Sequence, residues 1–369
     1  MRIALRELRR RPGRFATATV ILTLIALLLL FLGGLLDGLI RNSTGAVRAQ
    51  PGDVVVSSAQ SQSSFLRSRI DPDLRARVAA APGVVEVGGL GIVQLGARVP
   101  GNGPRDLADV ALFGVELPPR GVDTVPPDGE VWADRVLEAD GIRVGTELLL
   151  GPARSPVRVI GFVEDTNYLG QAGLWASPGT WRTVVGANRP AEVVADGVFQ
   201  SLVVRGTGDP ADLAAAIDTA TGGATLSLTL VDAANAIPGV AEQRGTFNQI
   251  IGVTVAIAIV VIALFFALLT VERLALYGVL KAIGARSRTI FAGLVVQAVV
   301  VTVVASVVAT VAVLLLDAAI PPGSIPVTIT PPRIVSSVVS LLVAAIAGSA
   351  FSLRRVLRVD PASAIGSSS

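Results

Sequence analysis

Four long apolar runs, none containing a charged residue, constrain this chain more than anything else in it: Phe15 to Leu36, Ile250 to Leu269, Ile290 to Leu316 and Ile334 to Leu353. About 20 apolar residues wound as a helix cross a hydrocarbon core of roughly 30 Å, and each run is long enough. Buried helices of a large soluble protein would not be expected to pass the threshold of ~18 uncharged apolar residues four times over. The first run follows a basic lead, as a signal peptide does. It is longer than an h-region of about 7–15 residues and no small-x-small cleavage site follows, so it reads as a retained helix.

Lys and Arg in the flanks set the orientation. Arg2, Arg6, Arg9, Arg10, Arg11 and Arg14 precede the first span. Arg273, Lys281, Arg286 and Arg288 separate the second from the third, and Arg354, Arg355 and Arg358 follow the fourth. Four spans put all of these on one side. The expected layout is therefore a cytoplasmic interfacial segment (1–14), spans at 15–36, 247–270, 290–316 and 333–353, a cytoplasmic loop (271–289), an external loop (317–332) and a cytoplasmic tail (354–369). An extracytoplasmic domain fills 37–246. Both termini are cytoplasmic in a bacterial plasma (inner) membrane, multi-pass. The formal net charge of +3 conceals this topology: the exterior segment has 24 acids and 17 arginines, a net of −7, while the cytoplasmic flanks carry a net of +10.

The side-chain inventory excludes whole classes of chemistry. No Cys means no disulfide framework and no thiolate zinc site. With neither His nor Cys, a Ser-His-Asp or Cys-His nucleophile cannot be built. The only lysine, Lys281, precedes Ala282, so there is no Walker A loop. The chain reads as a non-enzyme with no catalytic residue, no metal site and no cofactor of its own. No nucleic-acid partner is expected. No acid or base lies inside a span to mark a proton path.

The exterior segment holds an internal resemblance. Asp53-Val54-Val55-Val56, then Asp71-Pro72 opening a helix through Ala81, then Val84 to Val87 reads strand–helix–strand. Ser201 to Val204, Asp209-Pro210 opening a helix to about Ala220, and Ala224 to Leu230 reads the same way. An Asp N-cap before Pro at the first helical position is a strong helix start. Two such units commonly pair into one α+β sandwich, although two ordinary βα units can also resemble each other by chance. Between them, at about 114–185, lies a strand-rich insert, with Gly145–Leu150 and Val157–Val163 as neighbouring strands around Gly151-Pro152. Tyr168, Trp175 and Trp181 follow closely. They form either a partner surface or the core of a small β-domain.

Within the spans, small residues recur every four positions: Ser336, Ser340, Ala344, Gly348 and Ser352 on the fourth, and Ala298, Thr302, Ser306 and Thr310 on the third. Such stripes let helix backbones approach closely in lipid, inside one subunit or across a homodimer. Gln297 is the most polar side chain in a span, suited to helix–helix hydrogen bonding. The basic segment Met1 to Arg11, with Ile3, Leu5 and Leu8, reads as an interfacial helix on anionic lipid or as a positive-inside signal, and Pro12-Gly13 is expected to break it from the first span. The loop from Glu272 to Ala285 reads as a short amphipathic helix with Leu276, Val279, Leu280 and Ile283 on one face and Gly284 as its stop. It is suited to a groove on a cytoplasmic partner.

Here the sequence resembles the FtsX/MacB-type permeases, the transmembrane subunits of the mechanotransmission class of ABC transporters. Glu272-Arg273 followed by Gly278-Val279-Leu280-Lys281-Ala282-Ile283-Gly284-Ala285 is similar to that family's loop signature, and Arg358-Val359-Asp360-Pro361-Ala362-Ser363-Ala364 to its C-terminal one. The order of one span, a large exterior domain and three spans matches along essentially the whole chain. Leu276-Tyr277 stands where the family often has Glu-Ile, and this variant looks closest to short DevC- and HrtB-like permeases. The resemblance implies a homodimer above a separate cytoplasmic ABC ATPase dimer, which alone uses ATP and Mg. Glu272, Arg273, Tyr277, Gly278, Lys281 and Gly284 are then the coupling residues. Ser336, Ser340, Ala344, Gly348, Thr302 and Ser306 pack the helices. The implied function is export or extraction of an amphipathic substrate, with membrane lipid around the chain and room for an extracytoplasmic partner. Signal transmission to a cell-wall hydrolase, or lipoprotein release, are the alternatives. For haem as cargo, protein ligands would have to come from Tyr168, Tyr277 or Met1.

Overall fold

The computed structural model describes residues 12–61, 64–99, 101, 103, 106–192, 194–272, 279, 283, 287–319 and 325–356. The chain divides into two compact units. One comprises Met1–Gly38, Arg244–Pro321 and Val327–Ser369, and the other Leu39–Gln243 with Pro322–Pro326. The expected interfacial helix at 1–11 and the C-terminal motif from Arg358 lie outside the described residues.

Four described helices are long and apolar enough to cross a membrane. The first, α1, runs Pro12–Arg48. Pro12 and Gly13 form its first turn, and the expected break from the segment before them falls outside the described residues. Proline is tolerated at that position because its missing N–H would have no intrahelical partner anyway. The helix also outlasts its apolar run: Arg41, Asn42, Ser43 and Thr44 continue it as a polar helix in the second unit.

In the first unit, α1 buries Phe15, Ala18, Leu22, Ala26, Leu29 and Leu30, a stripe of three- and four-residue steps. It shares this core with Ala258, Ile262, Phe266 and Leu269, with Leu294, Ala298, Val301 and Ala305, and with Leu341, Ala344 and Ala345 of the other three spans. The outward side chains are equally apolar: Leu24, Val253, Leu264, Leu315 and Val335 are all exposed. Helices apolar on every face suit hydrocarbon rather than water.

The second unit is one nine-stranded sheet carrying two small helical layers. Along the chain its elements are β1 (Val54–Ser58), α2 (Pro72–Ala79), β2 (Val84–Arg98), β3 (Leu107–Val115), β4 (Glu130–Asp134), β5 (Glu147–Leu150), β6 (Ser155–Val163), β7 (Ala172–Ala176), α3 (Pro178–Asn188), β8 (Ser201–Gly206), α4 (Pro210–Ala220), β9 (Thr225–Thr229) and α5 (Leu230–Asn235). The remaining spans are α6 (Val240–Val271), α7 (Ser287–Ala319) and α8 (Pro331–Val356).

The two strand–helix–strand halves pair as their likeness suggests. β1 lies between β8 and β9, and β8 lies between β1 and β2, all antiparallel. The order β9-β1-β8-β2 is that of a split βαβ sandwich. Asp71 Oδ1 accepts from Leu74 N at 2.8 Å and Asp209 Oδ1 from Ala211 N at 2.8 Å, so both Asp-Pro starts are real caps. α2 and α4 cover one sheet face through Val78, Leu213, Ala214 and Ile217, against Val54, Val56, Leu202 and Val204.

The insert is more than a run of short strands. β2 is 15 residues long and serves both parts. Its first half pairs β8, and its second half pairs β3 and β5. The ladders β2–β3, β3–β7, β7–β4, β4–β6, β6–β5 and β5–β2 close a ring of six strands. Val93, Ala97, Val110, Leu112, Val131, Leu148, Val157 and Leu174 share one core, at every second position along their strands, and Trp181, Val184 and Val185 of α3 pack into it. Helix α3 falls inside the region read as strand-rich. Ser177-Pro178 starts it, with Thr180 N donating to Ser177 Oγ at 3.0 Å.

Tyr168, Trp175 and Trp181 are core residues rather than a partner surface, and they do not form one cluster. Trp175 stacks on Phe113 at 4.6 Å, and Phe113 meets Tyr168 edge-on at 5.9 Å, in a core on the outer face of the ring. Trp181 stacks on Phe199 at 6.1 Å in the inner one.

Candidate coupling and packing sites

Of the residues expected to couple to an ATPase, Arg273, Tyr277, Gly278, Lys281 and Gly284 lie outside the described residues. Glu272 is described. It follows the last residue of α6 on the surface, and its N–H donates to Leu268 O at 3.1 Å. Two loop residues are also described. Ile283 N donates to Val279 O at 3.1 Å, one helical turn apart. Val279 is 56% and Ile283 79% exposed, so two apolar side chains at i and i+4 face outward together.

The packing residues divide by depth. Thr302 and Ser306 are buried on α7, and among the described residues their hydroxyl oxygens have no hydrogen-bond partner. Ala344 is buried on α8. Gly348 is buried because its backbone lies against α6: a Cβ there would meet Ile259 O at 2.8 Å and Ile262 Cβ at 3.0 Å. Ser340 is half-buried and Ser336 exposed. Both fold their hydroxyls back on the helix, Ser336 Oγ to Arg333 O at 3.0 Å and Ser340 Oγ to Ser336 O at 2.8 Å. Among the described residues of the stripe, Ala344 and Gly348 are the ones buried within the chain.

One constellation escaped the sequence reading. Arg333 grips Asp37 through two nitrogens of its guanidinium. Nε donates to Oδ2 at 2.8 Å and Nη2 to Oδ1, with the two side chains 22% and 28% exposed. Gly33 makes the space, since a Cβ there would lie 2.5 Å from Arg333 Cδ. Gly34 O accepts from Thr328 N at 2.9 Å, so the segment before α8 is hydrogen-bonded to α1. The sequence signal was available: a Gly-Gly pair and an acid at the end of one apolar run, and an arginine at the start of another.

Four packed apolar helices, with a sandwich-and-barrel domain inserted after the first, define the class: a multi-pass membrane protein with an α+β domain. Residues 248–361 match the family model described as FtsX-like permease C-terminal. A protein of Mycobacterium tuberculosis named as an uncharacterized ABC transporter permease is 29% identical over 98% of each chain. The putative hemin transport system permease protein HrtB of Staphylococcus haemolyticus is 31% identical over 34% of this chain and 35% of its own. Among solved structures, the periplasmic region of MacB from Actinobacillus actinomycetemcomitans superposes with a TM-score of 0.34 at 12% identity, covering 52% of this chain and 94% of that one. The chain is thus similar over nearly its whole length to a protein named as an ABC transporter permease, and over residues 248–361 to FtsX-like permeases.

Proposed function

We propose that the chain is the transmembrane subunit of an ATP-driven complex. In this reading it couples hydrolysis by a separate cytoplasmic ATPase dimer to export or extraction of an amphipathic substrate, by mechanical transmission rather than through a pore. Two copies of the chain stand on that ATPase in a bacterial plasma membrane, with both termini cytoplasmic. Glu272, Arg273, Tyr277, Gly278, Lys281 and Gly284 receive the ATPase's motion, and Val279 and Ile283 supply an apolar ridge for its groove.

The observation that carries this reading is the continuity of the two helices that enter and leave the sheet domain. α1 places Leu22 and Leu29 in the core of the helical unit and Ala46 and Val47 in a core of the sheet unit. α6 places Val240 in the latter and Ala258, Ile262 and Phe266 in the former. Neither helix is interrupted between those cores. A continuous helix is a physical means of passing displacement along the chain without a channel.

Haem is not proposed as the cargo, although one relative is named for hemin. Tyr168 is 3% exposed and packed in a core of the sheet unit, out of reach of a haem iron, and Tyr277 and Met1 lie outside the described residues.

The test uses the full chain and its co-purified ATPase in lipid nanodiscs and vesicles. Lys281→Ala and Glu272→Ala should each lower stimulation of the ATPase by about tenfold, the worth of one charge-assisted contact. Unchanged stimulation in both would remove the loop from the coupling path. Nucleotide-dependent efflux of an amphipathic dye supports export. Release of a cell-wall hydrolase activity or of a lipoprotein, without efflux, would favour the signalling or lipoprotein reading.

A further inference from the structure

The loop between β6 and β7, residues 164–171, is docked on the end of α1 by an unusual density of directed contacts, all within the sheet unit. Arg48 holds Asp165 with two parallel bonds, Nη1 to Oδ2 and Nη2 to Oδ1, both 2.8 Å. Arg41 Nε reaches Asp165 Oδ1 at 3.0 Å. Arg48 is itself aimed by Thr44 Oγ1 at 3.2 Å and Arg41 O at 3.1 Å. The loop backbone adds Leu169 N to Ser43 O at 3.1 Å and Gly170 N to Asn42 O at 3.3 Å, while Ala46 N donates outward to Asn167 O at 3.0 Å.

Such an approach needs a bare helix surface, and Gly45 provides it. A Cβ there would stand 2.6 Å from Asp165 O and 2.9 Å from Asn167 N. The loop is fixed on its far side too. Asp134, buried at the end of β4, accepts both Thr166 N and Thr166 Oγ1 at 2.7 Å. Asp165 adopts a left-handed φ of 61° and Leu169 one of 51°, conformations that the surrounding bonds must hold in place. Burial raises the Asp165 carboxyl, yet the hydrogen bonds and charges of Arg48 and Arg41 outweigh it and leave the group below its ordinary value.

None of this is needed to hold the barrel together, because its ring of ladders closes without the loop. Nor is it needed to attach α1, which continues covalently into β1. What the contacts do is fix the six-stranded ring to one helix of the four. We infer that Asp165, gripped by Arg41 and Arg48, is the positioning residue through which displacement of α1 reaches the barrel. The β6–β7 loop is then the bearing of the transmission. This rests on the coupling function proposed above and adds the route within the sheet domain: α1 drives the barrel, while α6, through α5 and β9, adjoins the sandwich.

Asp165→Asn is the informative variant. It keeps the shape, tolerates the left-handed backbone and deletes only the charge. The chain has no native cysteine, so one thiol reports one place. A fluorophore at Val144→Cys, an exposed barrel position, and in a separate protein at Val231→Cys, an exposed position on α5, are compared in the full chain with its ATPase, with and without nucleotide. Exchange of the Ala46, Leu169 and Gly170 amides should quicken about tenfold in Asp165→Asn. The nucleotide-dependent change at Val144 should fall by about the same factor while that at Val231 and the ATPase rate persist. Should Asp165→Asn not fold, Arg48→Lys keeps the charge and loses the parallel pair, with the same expectation. A Val144 response retained despite faster amide exchange overturns this inference alone. A wild type silent at both positions overturns the coupling function and this inference with it.

Discussion

Replacing Gly348 separates close helix packing from mere apolarity. In an ordinary helix interior Gly→Ala gains about 0.5–1 kcal/mol from backbone entropy. Gly252 on α6 is such a site, with nothing within 4 Å of an added Cβ. At Gly348 the new methyl meets Ile259 O at 2.8 Å and two atoms of Ile262 at 3.0 Å. A backbone oxygen inside a helix cannot swing aside as a side-chain tip can, so α6 and α8 must part by a few tenths of an ångström. Overpacking of this kind costs about 1–3 kcal/mol, which exceeds the entropic gain. Gly348→Ala should therefore be destabilised by about 1 kcal/mol and Gly252→Ala stabilised by up to about 1 kcal/mol. The difference of about 2 kcal/mol is roughly a 30-fold change in the opening equilibrium. Tryptophan fluorescence would miss it, since Trp132, Trp175 and Trp181 all lie in the sheet unit. A single thiol at Ala258→Cys, buried in the helical core, gives the measurement as its labelling rate in mixed micelles. Equal effects at the two glycines would refute the close approach of α6 and α8.

Asp37→Asn, Arg333→Gln and their double variant should give a coupling of about 1–3 kcal/mol in a double-mutant cycle, between the exposed and the fully buried limits for ion pairs; a coupling near zero would mean the grip adds nothing to the bundle. Because the folded Asp165 carboxyl titrates below its ordinary 3.8, its contribution is complete above that pH and is lost as pH falls through the lower folded value. Amide exchange at Leu169 and Gly170 should accordingly quicken only in strong acid, and Asp165→Asn should erase that dependence. Tyr168 is shifted the other way, so its contribution is complete below its ordinary 10.0 and lost as pH rises through about 12. A spectrophotometric titration should show one late phenol that Tyr168→Phe removes; two phenols ionising together near 10 in the wild type would contradict its burial.

Local signals reached far into this fold. Four charge-free runs gave the spans, and Asp71-Pro72 and Asp209-Pro210 gave two capped helices whose flanking strands pair into the sandwich. The barrel was hidden for a physical reason: its closure depends on pairings distant in sequence, such as parallel β3–β7 and β2–β5, which no periodicity encodes. Helix α3 carries the same cap-and-proline start as α2 and α4 at Ser177-Pro178, but it lies among short strands and aromatics that made the whole insert read as strand-rich. The continuation of α1 to Arg48 could not be read from hydropathy, which stops at Asp37. It is visible in retrospect as Thr44 and Arg48, placed at i and i+4 beside Gly45. Likewise, only the fold brings Asp37 to Arg333 across almost the whole length of the chain.

Closing the ring also decides where the sheet can meet another strand. An open nine-stranded sheet has two free edges, each a row of unpaired N–H and C=O groups that invites a stranger's backbone. Here β3, which would have been one edge, is bonded on both sides, to β7 and to β2. Among the described residues two short edges remain. One is β9, five residues, Thr225–Thr229, with Thr or Ser at every second position and a helix beginning directly after them. The other is the first half of β2, which has β8 on one side only. A chain without disulfides to lock its domain thus presents only short templates for accidental strand addition.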